Sequence, residues 1–131
     1  MTCSPGDLLS LDLPCNEHAA VTVRDSLAEV HDGGWSLDDG RLIASELVGN
    51  AVRHSGCELD HRLQVDVSRR EGRLLISVHD PGLSGKAAHP GDGDPAGPGG
   101  FGLRIIRELC EAWGTERPDG YRVWAELLAH G

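Results

Sequence analysis

Two hairpin signals constrain how this chain folds. Two pairs of segments flank short turns, 63–68 with 73–79 and 115–118 with 121–128, and the first pair alternates apolar and polar residues. The turn between the first pair is Arg70-Glu71-Gly72, and the second pair flanks Asp119-Gly120. Alternation with a period of two is typical of half-buried strands, and short turns that contain Gly join antiparallel neighbours. The sequence therefore predicts an antiparallel sheet that contains both hairpins.

The stretch before the first hairpin changes from strand to helical periodicity. Residues 8–13 alternate apolar and polar and stop at Pro14, which predicts a short strand. From residue 17 to about 31, apolar residues recur every three or four positions, and Gly33-Gly34 then ends this helix. Ser36 is typical of an N-cap, so we expect it to begin a second helix that extends to about His54.

A third helical pattern covers residues 100–113, so the predicted order is β-α-α-β-β-loop-α-β-β. Helices grouped in blocks between antiparallel hairpins favour an α+β fold with two layers, and not a parallel βαβ sheet. The length of 131 residues indicates one domain over residues 1–131, and we expect residues 1–7 to form an N-terminal tail.

The charge balance excludes some classes of partner. The formal net charge is −9, with 21 acidic against 12 basic residues. A protein that binds nucleic acid or an anionic membrane surface needs a basic face, so we expect neither nucleic acid nor a membrane as a partner here. This balance leaves room for one anionic ligand held by backbone amides.

The four cysteines and the first residues indicate a cytoplasmic protein. The sequence begins without the basic and apolar regions of a signal peptide, and no apolar run is long enough to span a membrane. We therefore expect reduced, structural thiols. Cys57 and His61 have a spacing that zinc ligands can have, but two ligands do not make a zinc site.

Four polar residues form a stripe along the second predicted helix. Glu46, Asn50 and His54 follow one another at intervals of four, and Arg53 falls within the same third of a turn. An amphipathic helix has such a stripe without any function. Gly49 and Asn50 are, however, both poor helix formers in the middle of a helix. A ligand that approaches this face would explain both residues.

Asp80-Pro81-Gly82 ends the second strand of the first hairpin. Asp at such a position is often only a turn former, because its side chain can bond its own backbone. A carboxylate that points into a pocket can instead accept a hydrogen bond from an exocyclic amine such as that of adenine. Gly82 would then allow the base to lie close to the backbone.

A long segment without periodicity, residues 83–99, precedes the third helix. Loops of this length inside a domain are usually lids, binding loops or disordered segments, and we expect a mobile lid. Gly99-Gly100-Phe101-Gly102 then begins the helix, whose free N–H groups favour an anion. A flexible hinge is the alternative. The dinucleotide fingerprint is rejected because a Pro/Gly/Asp tract, and not a strand, precedes these glycines.

Together these segments resemble a known family. The stretches ELVGNAVRH, HDPGL and GGFGLRII, with the later WG and VWAEL, are similar to the GHKL (Bergerat-fold, histidine kinase-like) ATPase superfamily. Within it the chain resembles the small anti-sigma-factor serine kinases, from about Leu8 to Leu128. The resemblance implies a two-layer α/β sandwich whose mixed, mostly antiparallel sheet carries its helices on one face.

The resemblance also implies roles for individual residues. Asn50 would hold the Mg²⁺ that bridges the phosphates, and Glu46 would be the general base. Asp80 would bind the adenine amine, and Gly82 would line the base. The remaining positions would contact phosphate, through backbone amides or as positive charge: Gly100, Gly102, Leu103, Arg104 and Arg53.

The implied activity is transfer of phosphate from ATP to a serine of an antagonist protein of the anti-anti-sigma type. A sigma factor as a second partner and a homodimer are further implications. The alternative is a module of the same fold that senses nucleotide or binds a partner without catalysis. Three features depart from the family pattern: Ser84 stands where a glycine is expected, the lid has few phosphate ligands beyond Lys86, and Arg122 stands where an adenine-side Thr is expected.

Overall fold

The computed structural model describes residues 6–31, 33–54, 62–80, 106, 108–116 and 121–128, with two helices and five strands of defined bounds. In chain order these elements are β1 (Asp7–Pro14), α1 (Ala19–Val30), α2 (Leu37–His54), β2 (Arg62–Arg70), β3 (Arg73–Asp80), β4 (Ala112–Glu116) and β5 (Tyr121–Leu128). The strands form one sheet in the order β1-β2-β3-β5-β4. The predicted α+β class is confirmed.

All pairings among the described strands are antiparallel, so this part of the sheet is not mixed as the resemblance implied. The predicted turn joins β2 to β3, with Arg70 paired to Arg73. Glu71 and Gly72 have φ angles of 52° and 75°. Positive φ at both central residues is typical of the type I′ turn, whose twist matches that of the two strands. The turn therefore fixes the register of this hairpin.

One face of the sheet packs against α1 and α2. Alternate residues of the strands point to this face, and both helices turn an apolar side toward it. The largest fully buried side chains are Val23, Leu27, Ile43, Leu47, Val48, Leu63, Val65, Val67, Leu74, Ile76 and Val78. The other face carries many polar residues, among them a hydrogen-bonded group formed by Ser10, Gln64 and Asp66. The structure thus has the two layers that the sequence predicts.

A side-chain cap and an aromatic contact fix the N-terminus of α2. The Ser36 Oγ accepts a hydrogen bond from the Asp39 backbone N–H at 3.2 Å, which confirms the predicted N-cap. The indole of Trp35, only 3% exposed, packs on Gly40. A Cβ at residue 40 would lie 2.7 Å from that ring and 3.6 Å from the Leu74 side chain. The helix therefore begins over the first residues of β3.

The predicted end of the third helix is wrong. Ile106, Glu108 and Leu109 are helical, but Trp113 lies in β4, where it pairs with Ala125. The Glu111 N–H already donates to the Glu126 carbonyl at 2.8 Å. The chain therefore joins the sheet earlier than the apolar spacing indicates, and β4 covers residues 112–116 in place of the predicted 115–118.

Replacing Ser36 with Ala tests the cap. We expect the free energy of unfolding to fall by about 1 kcal/mol, because an N–H in the first turn loses its acceptor. Denaturant unfolding measures this change. Ser26→Ala, within α1, is the matched control and should be neutral or slightly stabilising, since Ala is the better helix former. An equal loss in both variants would contradict a specific role for the cap.

Candidate functional site

Glu46 and Asn50 lie one turn apart on α2, separated by about 6 Å along the helix axis. Both side chains are half-buried, and their neighbour Leu47 is 1% exposed in the core. The pair therefore lies where the buried side of α2 meets solvent. Among the described residues, neither side chain has a hydrogen bond or an ion pair. Both polar groups are thus available to a ligand.

Asp80 is the last residue of β3 and is 3% exposed. It continues the row of Leu74, Ile76 and Val78, so its side chain is on the face that the helices cover. It is the one buried charged or polar residue in the described part of the chain, and it has an interaction partner. A buried carboxylate is costly to keep. Its position at a strand end therefore favours a functional role.

The direction of α2 relates this carboxylate to the polar pair. Gly40 lies over Leu74, near the start of β3. From there the helix rises about 15 Å to Asn50, while β3 advances about 20 Å to Asp80. α2 packs against β3 and β5 and remains buried through Val48. We therefore expect its C-terminal half to extend toward the strand end that carries Asp80.

Arg122 lies on the opposite face of the sheet. It pairs with His79 in the register, whereas Asp80 pairs with Tyr121. Its neighbour Val123 is buried against the helices, so the Arg122 side chain points away from them. The Arg122 Nη1 is 3.7 Å from Glu116 Oε2. The departure from the family pattern at this position therefore does not place a cation beside Asp80.

The other predicted site residues cannot be placed. Gly82, Gly100, Gly102, Leu103, Arg104 and the predicted lid (83–99) lie outside the described residues. Arg53 belongs to α2, but its side chain is outside the description, as is that of His54. Of the predicted site, the structure thus gives positions for Glu46, Asn50 and Asp80. The roles of all the predicted site residues stay predictions.

The side chains of the described residues could contribute to a Mg²⁺ site that shares its metal with phosphate. No group of three or more His, Cys, Asp or Glu side chains in these residues could hold a metal ion. Mg²⁺ is commonly bound through one or two protein oxygens, with phosphate oxygens and water as the other ligands. The amide oxygen of Asn50, unpartnered and half-buried, fits that arrangement.

A comparison with family models decides the family. The model described as a histidine kinase-like ATPase domain matches residues 14–126, a range that contains α2, the end of β3 and most of β5. The chain belongs to this family. A search of the curated proteins finds no match. Membership in the histidine kinase-like ATPase family supports ATP binding, usually with Mg²⁺, ATP-dependent kinase or ATPase chemistry in general, and a regulatory role.

The structure has a groove beside Glu46 that the sequence does not predict. It has a volume of about 410 Å³ and lies between α1 and α2. Its lining residues are Arg24, Asp38, Arg41, Leu42, Ser45 and Glu46. The spacing of the α2 members at i, i+3, i+4, i+7 and i+8 already indicates one helix face. The contribution of Arg24 from the other helix has no such signal, because it depends on how the two helices pack.

Cys15 and Cys110 differ in oxidation state, and the state of Cys15 corrects the expectation of reduced thiols. Cys15 is disulfide-bonded, whereas the sequence predicted reduced thiols throughout. Sequence spacing could not indicate this bond, because a disulfide requires that the two Cα atoms approach in space. Cys110 is free, and burial raises the pKa of its thiol to about 11. None of the described helices has the length and apolar character of a membrane span.

The positions of Asp80 and Arg122 on opposite faces predict different effects on ATP affinity. Asp80→Asn keeps the shape of the side chain but removes the charge that would accept from adenine. We expect ATP affinity to fall by about 10-fold or more. Arg122→Ala should change the affinity by less than about two-fold, because this side chain is on the far face. Titration with a fluorescent ATP analogue measures both, with circular dichroism as the check on folding. An equal loss of ATP affinity in both variants would contradict the placement of Asp80 and Arg122 on opposite faces of the sheet.

Proposed function

We propose that this chain is an ATP- and Mg²⁺-dependent protein serine kinase of the anti-sigma type that acts in the cytoplasm. Its acceptor would be a serine of an antagonist protein of the anti-anti-sigma type. A sigma factor as a second partner and a homodimer belong to the same proposal. The observation that carries it is the unpartnered Glu46 carboxylate, one helical turn from Asn50 and at the edge of an open groove.

The nucleotide would be bound at the end of the sheet that carries Asp80. The buried carboxylate would accept a hydrogen bond from the exocyclic amine of adenine, a contact that distinguishes adenine from a base with a carbonyl there. Asn50 would hold Mg²⁺ through its amide oxygen. The metal, when bound, neutralises charge on the phosphates. The half-buried position of Asn50 at the rim of the core supports this role.

Glu46 would remove the proton of the acceptor hydroxyl. In this step the serine O–H proton passes to a carboxylate oxygen of Glu46, and the serine oxygen forms a bond to the γ-phosphorus. The bond from that phosphorus to the bridging oxygen breaks, and ADP leaves. Because the Glu46 carboxylate has no competing partner among the described residues, it can accept this proton without first breaking an ion pair.

The alternative is a nucleotide-sensing or protein-binding module of the same fold without catalysis. Binding would use the same Asp80 and Asn50, but no proton would pass to Glu46. Phosphate transfer, and not ATP binding, therefore separates the two functions.

Substitution of Glu46 by Gln tests the proposed step. Glu46→Gln keeps the size of the side chain but cannot accept a proton, so we expect transfer to slow by about 10²–10⁴-fold. ATP affinity should stay nearly unchanged. Asn50→Ala should instead weaken binding of ATP in the presence of Mg²⁺. The assay follows the labelled γ-phosphate of ATP onto purified proteins of the anti-anti-sigma type.

Glu29→Gln is the matched control, since Glu29 is exposed on α1 and does not line the groove. It should transfer phosphate at the wild-type rate. Normal transfer by Glu46→Gln would contradict the assignment of the base. ATP binding without transfer to any of these proteins would contradict the kinase and favour the sensing module.

A further inference from the structure

The groove beside Glu46 contains unpaired positive charge. Among the arginines whose side chains the structure describes, Arg24 and Arg41 are the two without a hydrogen bond or an ion pair. The other five all have partners: Arg62 with Asp12, Arg70 with Asp7, Arg73 with Glu126, Arg122 with Glu116, and Arg69 with a further group. The two unpaired arginines thus share one groove in a chain that has 21 acidic residues.

The groove also holds polar atoms without partners. The Arg41 Nε and the Ser45 Oγ are enclosed and make no hydrogen bond. A buried donor without an acceptor costs free energy, which an incoming acceptor can recover. The groove's own carboxylates, Asp38 and Glu46, lie at its two ends, about 12 Å apart along α2. Arg41 therefore lies between them on α2, Arg24 lines the same groove from α1, and neither guanidinium has an ion-pair partner among the described residues.

Apolar surface adjoins these charges. Leu42 lines the groove and is 39% exposed, and Val21 is 52% exposed one turn before Arg24 on α1. A segment that carries both an acidic and an apolar side chain fits this combination. The volume of about 410 Å³ is larger than a single ring-sized group needs, so several residues can enter.

We propose that this groove binds an acidic segment of the acceptor protein next to its serine. The inference rests on the proposed kinase function, because the serine must reach Glu46. Arg24 and Arg41 bind the acidic side chain, and Leu42 contacts an apolar neighbour. Arg41 is about 7.5 Å from Glu46 along the helix axis. An extended chain covers this distance in two to three residues, so the acidic residue lies at that separation from the serine.

The test measures binding of two synthetic peptides by fluorescence anisotropy, with ATP and Mg²⁺ present. One peptide has a central serine, a leucine, and glutamates two and three positions away, and the other has glutamines in place of the glutamates. Each is titrated into the wild-type chain and into R24Q, R41Q and R62Q. These variants each remove one positive charge, and Arg62 is outside the groove, so R62Q controls for net charge.

We expect the glutamate peptide to bind the wild-type chain and R62Q alike, and about 10-fold more tightly than the glutamine peptide. R24Q and R41Q should each lose most of that difference. Arg24 is exposed and has no hydrogen bond or ion pair in the described part of the chain, so we expect its variant to fold even if R41Q does not. Equal binding of the two peptides, an equal loss in R62Q, or no binding would overturn the inference.

This test is independent of phosphate transfer. Selective binding of the glutamate peptide that disappears in R24Q supports the groove even if the labelled-phosphate assay contradicts the kinase. Transfer that depends on Glu46, together with unchanged acceptor KM in R24Q and R41Q, supports the kinase and contradicts the groove as its docking site. The two failures can therefore be distinguished.

Discussion

The packing of α2 on the sheet is the interaction on which the site depends. Trp35 and the N-cap at Ser36 fix where the helix begins, and the absence of a side chain at Gly40 lets it approach the start of β3. From that point Ile43 and Leu47 keep the helix on the sheet. One helix therefore carries the core, the polar pair of Glu46 and Asn50, and one wall of the groove. A shift of α2 would move all three together.

The strand register supplies the other half of the site. Because β3 alternates strictly, Asp80 lies on the same face as Ile76 and Val78 and becomes a buried carboxylate at the strand end. The same rule places Arg122 on the polar face, where it is close to Glu116. Residues that are neighbours across two strands thus have opposite environments. The period of two, and not proximity in the sheet, decides which of them lies on the face that the helices cover.

Local signals allowed much of this to be predicted. The turn at Glu71-Gly72, the cap at Ser36 and the alternation of β2 and β3 each depend on a few adjacent residues, and all were confirmed. The apolar spacing predicts a helix through Trp113, whereas the observed pairing of Trp113 with Ala125 depends on residues farther along the chain. The groove between Arg24 and Arg41, like the disulfide of Cys15, depends on tertiary contacts that no short pattern contains.

The central claim is that ATP and its metal bind at the C-terminal half of α2, on the side of Asp80. Manganese in place of magnesium broadens the NMR signals of nearby amides, so its ATP complex reports where the phosphates lie. We expect ATP-dependent broadening of the amides of residues 46–51. The amides of residues 37–41, which lie about 14 Å or more from Asn50 along the helix, should broaden far less, because the effect falls steeply with distance from the metal. Equal or stronger broadening at residues 37–41, or none that requires ATP, would contradict binding at this end of α2.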